Sequence, residues 1–467
     1  MFSLAQNYIT RGFWGDEAWT SLISQLPYRE MLKTTAADFH PPGYYTMIEL
    51  WYKVFSTGEV STRLVSIIFY LLTVFMVYKL ASFVRGKIFG ILSALVVAIN
   101  PIFFTYAFEA RNYTMFAFAA TGSIFFLLEL SKKFTLLRAL GFIFFSTLGI
   151  YTHYYMFFVL AAEFIYISLF DRKTLFATIV AYFVVGLLYL PWLPFLLGQV
   201  RSVGQNYWIG GIDRHTHYEA LLRILGGEQQ NAIRPWLFTL SIVLLIIGLI
   251  QHALRHSSTN TSATSSVPNG SGPGFEKSPL RQVRLGFKGQ AFLLIWLWAI
   301  VPFILSTLPG LRIDGVRLPF RPIFFWRYLI GASVPLSIVM VYTVQKLPKY
   351  LMFGSACLLL VLSLAIDFLT FGRQPYSFRE VYQQNIVGQI NASDKIVTVL
   401  PSFAEVLYYR NRNKLTNDII VLPEGLVQFS GKSLLDAYVA NGVVRIDQAP
   451  SGRYFELTPG PTSVIRD

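Results

Sequence analysis

The sequence predicts an all-α polytopic membrane protein with a small α/β domain at its C-terminal end. Hydrophobic residues make up 54% of the 467 residues and charged residues 14%, whereas soluble domains are roughly one-quarter charged. After Gly372 the charge density rises and the long apolar runs stop. Short β-branched runs at 396–400 and 419–422 predict strands, and residues 402–409 predict a helix between them.

About ten apolar runs account for the transmembrane part, since each approaches the roughly 20 residues that a helical span requires. Pro191 and Pro194 should kink the end of one of them. The run 43–55 is shorter and carries Glu49 and Lys53, so it is predicted to be a helix lying in the membrane interface. The predicted spans are 64–84, 88–108, 113–130, 136–151, 154–170, 175–197, 235–251, 290–308, 328–345 and 351–371.

These patterns divide the chain into three predicted parts. Residues 1–63 form an extracytoplasmic loop region with interfacial helices, residues 64–371 a transmembrane domain, and residues 372–467 a soluble extracytoplasmic α/β domain. Within the transmembrane domain, residues 198–234 should form a polar loop. Residues 257–289 are rich in Ser, Thr, Asn, Gly and Pro, which predicts a disordered cytoplasmic linker.

Basic residues in the short links between spans predict which side of the cell membrane each link faces. Lys and Arg accumulate in cytoplasmic links, and here they mark alternate links along the chain. Alternation then places the N-terminal loop region, the remaining links and the C-terminal domain outside. The basic links are Arg85 with Lys87, Lys132 with Lys133, Arg172 with Lys173, and Lys346 with Lys349.

The net charge of +14 is scattered between apolar runs rather than gathered on one face. This distribution indicates a lipid bilayer as partner and argues against a nucleic acid. The unusual polar groups collect instead on the predicted extracytoplasmic side. Arginines on that side run against the usual accumulation of Lys and Arg in cytoplasmic links. A phosphate ligand explains them, because a guanidinium binds two phosphate oxygens at once.

Six short motifs follow one another along the chain. They are Trp14-Gly15-Asp16-Glu17-Ala18-Trp19, Asp38-Phe39-His40-Pro41-Pro42-Gly43-Tyr44-Tyr45, Arg63-Leu64, Glu109-Ala110-Arg111-Asn112-Tyr113, Thr152-His153-Tyr154-Tyr155 and Arg327-Tyr328-Leu329. In order and spacing they resemble the lipid-linked glycosyltransferases of the GT-C fold. The resemblance is to the protein mannosyltransferase and aminoarabinose transferase superfamily, nearest its bacterial family 39-like branch.

This resemblance implies a fold, a donor and a catalytic residue. In such enzymes an extracytoplasmic loop after the first helix carries the catalytic acid, which corresponds to Asp16, and the donor is a sugar on a polyprenyl phosphate. It also implies a single inverting displacement onto a glycan, lipid or protein acceptor. Family members carry a transmembrane helix before this motif, and the chain begins at about the place where that helix would end.

Asp16 and Glu17 are the predicted catalytic residues. The acceptor hydroxyl must lose a proton as it attacks the sugar, so a carboxylate within hydrogen-bond reach would serve as general base. The alternative for Asp16 is an N-cap on the helix that begins near Glu17. Glu17 is either a supporting partner of Asp16 or a first-turn charge of that helix.

The remaining candidates are predicted to bind the donor and its phosphate. For the arginines the alternative is simple snorkelling of the side chain to the interface, and for His153 it is a polar cap on a tight turn. His40 would orient phosphate, bond Asp38 or bind metal. The predicted substrate-binding residues are Asp38, His40, Arg63, Glu109, Arg111, His153, Arg321, Arg327 and Tyr328.

Two questions stay open at this stage. The ligand spacing carries no metal signature, so no cofactor is assigned, but a divalent ion held by His40, Glu109 and His153 remains an alternative. A transporter or flippase of lipid-linked sugars is the alternative function. A transporter would place charged residues along a path through the middle of the bilayer, whereas the charged candidates here cluster on one predicted side of the membrane.

Overall fold

The computed structural model describes residues 7–206, 209, 211–264, 287–310, 312–313, 316–317, 322–424, 426 and 431–466. The N-terminal and membrane helices are α1 Gly15–Ile23, α2 Tyr28–Ala36, α3 Gly43–Tyr52, α4 Glu59–Arg85, α5 Lys87–Ala98, α6 Pro101–Ala107, α7 Tyr113–Lys132, α8 Leu136–Thr152, α9 Met156–Phe170, α10 Arg172–Tyr189, α11 Leu193–Asn206, α12 Arg214–Gly226, α13 Arg234–Thr264, α14 Phe287–Thr307, α15 Ile330–Val344 and α16 Lys349–Phe371. The C-terminal helices are α17 Phe378–Val381, α18 Leu400–Arg412 and α19 Lys432–Ala440.

The helical membrane architecture is confirmed. Among the described residues, seven helices are long and apolar enough to cross a membrane, and the bent pair α5 and α6 forms an eighth if it is one span. Helices α8 and α9 are apolar but shorter. The run 43–55 forms the ten-residue helix α3, which is too short to span.

The span predicted over 88–108 is broken rather than continuous, because the chain bends by 66° between α5 and α6. Asn100 starts a new helix there, since its side chain accepts a hydrogen bond from the backbone N–H of Phe103. Pro101 follows at the first helical position, where its missing N–H costs nothing. The second half of this pair therefore leads directly into the polar turn around Glu109.

The polar stretch predicted as a loop over 198–234 is largely helical. Helix α10 ends at Tyr189 before the prolines, and α11 extends the chain to Asn206. Helix α12 is then capped by Asp213, whose Oδ1 accepts a hydrogen bond from the backbone N–H of Thr216 at 2.7 Å. The linker predicted over 257–289 overlaps the ends of α13 and α14, and its residues 265–286 lie outside the described part.

The strands are β1 Arg312–Ile313 and β2 Val316–Arg317, which form a separate pair, then β3 Lys395–Thr398, β4 Ile419–Val421, β5 Val444–Ile446, β6 Tyr454–Thr458 and β7 Thr462–Arg466. The last five, in the C-terminal region, form a sheet in the order β5-β4-β3-β6-β7. Neighbouring strands run parallel except β7, which pairs antiparallel with β6. The predicted strands and the helix between them are confirmed as β3, β4 and α18, whereas β5, β6, β7 and α19 were not predicted.

One hydrophobic core joins the N-terminal region to the C-terminal domain. Phe13 and Leu22 from around α1 pack in it with Phe403 and Leu407 of α18. The backbone N–H of Phe13 also donates to the hydroxyl of Tyr409 at 2.7 Å. Because large apolar side chains are shared across this boundary, α18 is held against the helix that carries Asp16.

Candidate active site

A cavity of about 310 Å³ lies between the N-terminal region, the ends of membrane helices near Arg111 and Arg327, and the C-terminal domain. Six predicted site residues line it. One wall carries charged and polar groups, whereas the wall supplied by the C-terminal domain is apolar. The lining residues are Trp14, Gly15, Asp16, Trp19, Asp38, Phe39, His40, Arg111, Tyr113, Phe325, Arg327, Tyr328, Leu400, Pro401, Phe403, Ala404 and Gly431.

Asp16 stands between two arginines on the charged wall. Its Oδ2 lies 3.6 Å from Arg111 Nη2 and 3.6 Å from Arg327 Nη1, and its side chain is 38% exposed. The N-cap position of α1 belongs to Trp14, which makes no side-chain cap bond, so the alternative of Asp16 as N-cap is wrong. Asp16 lies in the first turn, where the helix dipole favours its negative charge.

Arg111 and Arg327 reach the cavity from two separate elements. Arg111 belongs to the turn before α7, and its side chain is almost fully buried. Although burial opposes it, Asp16 and nearby tyrosines raise the pKa of Arg111 above its ordinary value. The guanidinium carbon of Arg327 lies 5.0 Å from the ring centre of Trp14 and 5.1 Å from that of Trp326, so aromatic faces hold it in place.

Asp38 and His40 form a hydrogen-bonded pair on the same cavity. The distance from His40 Nδ1 to Asp38 Oδ2 is 3.0 Å. Gln199 of α11 fixes the backbone behind them, because its Nε2 donates to the carbonyls of Thr35 at 3.0 Å and His40 at 3.3 Å. The bond to Asp38 occupies one ring nitrogen and leaves Nε2 of His40 for a ligand.

The structure does not bring Glu17 and Arg63 to the cavity. Both are fully buried, and they face each other with two short contacts, Nε to Oε1 at 2.8 Å and Nη2 to Oε2 at 2.7 Å. The backbone N–H of Ala110 donates to Glu17 Oε1 at 2.9 Å. Although burial opposes it, Arg11 and Arg63 hold the pKa of Glu17 below its ordinary value. This pair braces the loop that presents Asp16.

Glu109 and His153 also lie behind the cavity lining. Glu109 Oε1 accepts from the hydroxyl of Tyr8 at 3.1 Å, and burial raises its pKa to about 7. The His153 ring lies 5.0 Å from that of Phe116 and 5.1 Å from that of Tyr328. Burial lowers the pKa of His153 to about 3, so it is a neutral ring that supports Tyr328 by packing.

The metal candidates do not form a common ligand set. Within the described ranges, no group of three or more His, Cys, Asp and Glu side chains is arranged to hold a metal ion. His40 faces Asp38, whereas Glu109 faces Tyr8 and Arg11. Arg321, a further predicted phosphate ligand, lies outside the described residues.

Three charged residues near the site were missed from the sequence. Arg11 lies 3.4 Å from Glu17 and 3.7 Å from Glu109. Glu228 pairs with Arg327 at 3.7 Å. Glu405 of α18 meets the first residue of α1, Gly15, and burial, reinforced by the charge of Asp16, raises the pKa of Glu405 to about 8.

Comparison with known proteins bears on this geometry. The family model of the dolichyl-phosphate-mannose-protein mannosyltransferases matches residues 39–197. Asp16 precedes the matched segment, whereas His40, Arg111 and His153 lie within it. Comparison with curated protein sequences gives no match.

Solved structures share the fold over nearly the whole chain. The apo structure of ArnT from Cupriavidus metallidurans has a TM-score of 0.59 at 13% identity, over 96% of this chain and 89% of that one. The same protein bound to undecaprenyl phosphate gives 0.56 at 12% identity, over 96% and 90%. The Archaeoglobus fulgidus oligosaccharyltransferase complex with Zn and sulfate gives 0.52 at 14% identity, over 87% and 58%.

The fold is therefore that of the GT-C membrane glycosyltransferases. The family match and the structural similarities together support a glycosyltransferase of the protein mannosyltransferase and ArnT superfamily. The resemblance noted in the six motifs is confirmed at this level.

Proposed function

We propose that the protein transfers a sugar from a polyprenyl-phosphate donor to the hydroxyl of an extracytoplasmic glycan, lipid or protein. Asp16 is the general base of a single inverting displacement. The observation that carries the proposal is the placement of the Asp16 carboxylate between Arg111 and Arg327 on one wall of the cavity.

The two arginines supply what the leaving group needs. A lipid phosphate gains negative charge as the bond to the sugar breaks, and cations preorganised around it stabilise the transition state. Arg111 and Arg327 each have a buried Nε without a hydrogen-bond partner, so neither guanidinium is saturated by the protein. ArnT, which shares the fold, binds undecaprenyl phosphate, and this supports a lipid phosphate as their ligand here.

Asp16 suits the proton transfer because it is the partly exposed carboxylate of this wall. As the phosphate draws the two arginines towards itself, Asp16 is left free to accept the proton of the attacking hydroxyl. His40 and Asp38 lie on the same cavity and contact the sugar or the phosphate. Glu17 and Arg63 take no part in the chemistry and hold the loop in position.

The directions of the helices support an extracytoplasmic position for the cavity. Helix α7 begins at Tyr113 on the cavity and ends at Lys132, and the span after Arg327 ends shortly before Lys346. The cavity therefore lies at the helix ends opposite the basic links, which favours the extracytoplasmic face.

The direct test uses purified protein in vesicles with radiolabelled polyprenyl-phosphoryl sugars and a mixture of glycan, lipid and peptide acceptors. A new glycosidic bond, together with release of the lipid phosphate, is expected. Movement of the labelled lipid across the vesicle without a new bond would contradict the proposal and favour a flippase.

A further inference from the structure

Glu228 lies in the turn between α12 and α13, where it faces the cavity arginine from behind. Its Oε1 is 3.7 Å from Arg327 Nη2 and 3.9 Å from Arg223 Nη1. Glu228 does not line the cavity. Among the arginines that line the cavity, Glu228 contacts Arg327.

The backbone around Glu228 leaves little freedom. Gly227 has a φ of +92°, a conformation that side-chain-bearing residues rarely adopt. A Cβ on Gly227 would lie 3.0 Å from the Pro101 side chain, so the turn packs tightly against α6. This packing places the Glu228 carboxylate beside Arg327, although Glu228 lies far along the chain from the other site residues.

Charges of alternating sign continue outward from the site. Arg223, whose guanidinium lies 4.7 Å from the ring centre of Trp326, contacts the same oxygen of Glu228 as Arg327 does. The next carboxylate is Glu219, which lies 3.3 Å from Arg223 and 3.5 Å from Arg234. The row therefore reads Asp16, Arg327, Glu228, Arg223, Glu219 and Arg234.

Arg327 consequently has a carboxylate on each side. Asp16 contacts Nη1 on the cavity side, and Glu228 contacts Nη2 on the other. A long arginine side chain loses rotamer entropy when it is fixed, and a second carboxylate supplies that constraint before the ligand arrives. When Nη1 of Arg327 turns from Asp16 to a phosphate, Glu228 keeps Nη2 in place.

We propose that Glu228 is a positioning residue that holds Arg327 in the orientation that binds the phosphate of the donor. The inference rests on the proposed function for the identity of that phosphate. The placement of Arg327 itself requires no substrate.

The test compares Glu228→Gln with Glu219→Gln in the full-length protein. Glu219 is a matched control, because it belongs to the same row and is similarly exposed, 27% against 21%, but does not contact Arg327. Glu228→Gln should lower kcat for transfer from a polyprenyl-phosphoryl sugar by roughly 10- to 100-fold and leave the acceptor KM unchanged. Glu228→Asp should recover part of that loss, and Glu219→Gln should leave kcat close to the wild-type value.

A structure of Glu228→Gln provides the second readout. The Arg327 guanidinium should leave the position it occupies between Asp16 and Glu228. An unmoved guanidinium, or equal kcat losses in the two variants, would overturn the inference. Failure of the proposed function would instead appear in the wild-type protein as an absence of transfer, and the position of Arg327 in the variant would still decide the role of Glu228.

Discussion

Arg63 holds the carboxylate of Glu17 with two nitrogens, and neither side chain reaches solvent. The same guanidinium donates to the carbonyls of Ile9 and Arg11 at 2.6 Å and of Gly12 at 3.1 Å. One arginine of α4 thereby ties down the segment that precedes Asp16. The segment is held rigidly at this point because the Arg63 guanidinium binds three of its backbone carbonyls and the buried carboxylate of Glu17 together.

Breaking this buried pair should be costly. Glu17→Gln leaves the buried guanidinium of Arg63 without its carboxylate partner, so we expect a loss of about 3–5 kcal/mol of stability, measured as thermal unfolding in detergent. Asp418→Asn, which breaks a half-exposed pair with Lys395, should cost less than about 1 kcal/mol. Equal losses in the two variants would contradict the bracing role of Glu17.

The contact between α3 and α8 gives a second stability prediction. A Cβ on Gly43 would lie 2.5 Å from the backbone oxygen of Tyr151, so Gly43→Ala must push apart two elements that flank His40 and His153. We expect a loss of roughly 1–3 kcal/mol by thermal unfolding. Gly354→Ala is the control, since no atom lies within 4 Å of its added Cβ, and a destabilised control would point to another cause.

Arg327 and Arg111 should determine the affinity for lipid phosphate. Replacing either by Gln removes a charge-assisted contact worth about 1.5–3 kcal/mol, which corresponds to a Kd for undecaprenyl phosphate raised roughly 10- to 100-fold. Arg138→Gln is the matched control, because Arg138 pairs with Glu129 at the opposite end of α7. Wild-type affinity in the Arg327 variant would place the phosphate elsewhere.

Glu405 predicts a pH dependence of stability. Its pKa is raised from 4.5 to about 8 in the folded chain, so between these values the folded state keeps a proton that the unfolded state has lost. Stability should therefore fall as the pH rises through this window and level off above it. Glu405→Gln should remove that part of the slope in thermal unfolding, and an unchanged slope would show that Glu405 does not titrate there.

Much of the fold could be predicted from local pattern. Long apolar runs locate the spans, and short β-branched runs locate β3 and β4. The break at Asn100 escaped prediction, because the residues around it are apolar enough to continue a span. Strands β6 and β7 are short and partly exposed, and they form only because β6 pairs with β3 and β7 pairs with β6.

Residues of the site could be predicted only where they belong to one of the six motifs. Asp16, His40, Arg111 and Arg327 belong to motifs and do meet on the cavity. Glu17 and Arg63 belong to the same motifs, yet their roles depend on which way the side chains point, and sequence spacing does not show that. Glu228 and Glu405 come from distant helices and turns, so only tertiary packing brings them to the site.

The most direct test of the account is transfer by Asp16→Asn from a polyprenyl-phosphoryl sugar, measured beside binding of undecaprenyl phosphate. The amide keeps the shape but cannot accept the proton, so kcat should fall by about 10²- to 10⁴-fold while the lipid phosphate still binds. Asp213→Asn, at the exposed start of α12, should transfer sugar like the wild type. Full transfer by Asp16→Asn would contradict the assignment of Asp16 as the general base.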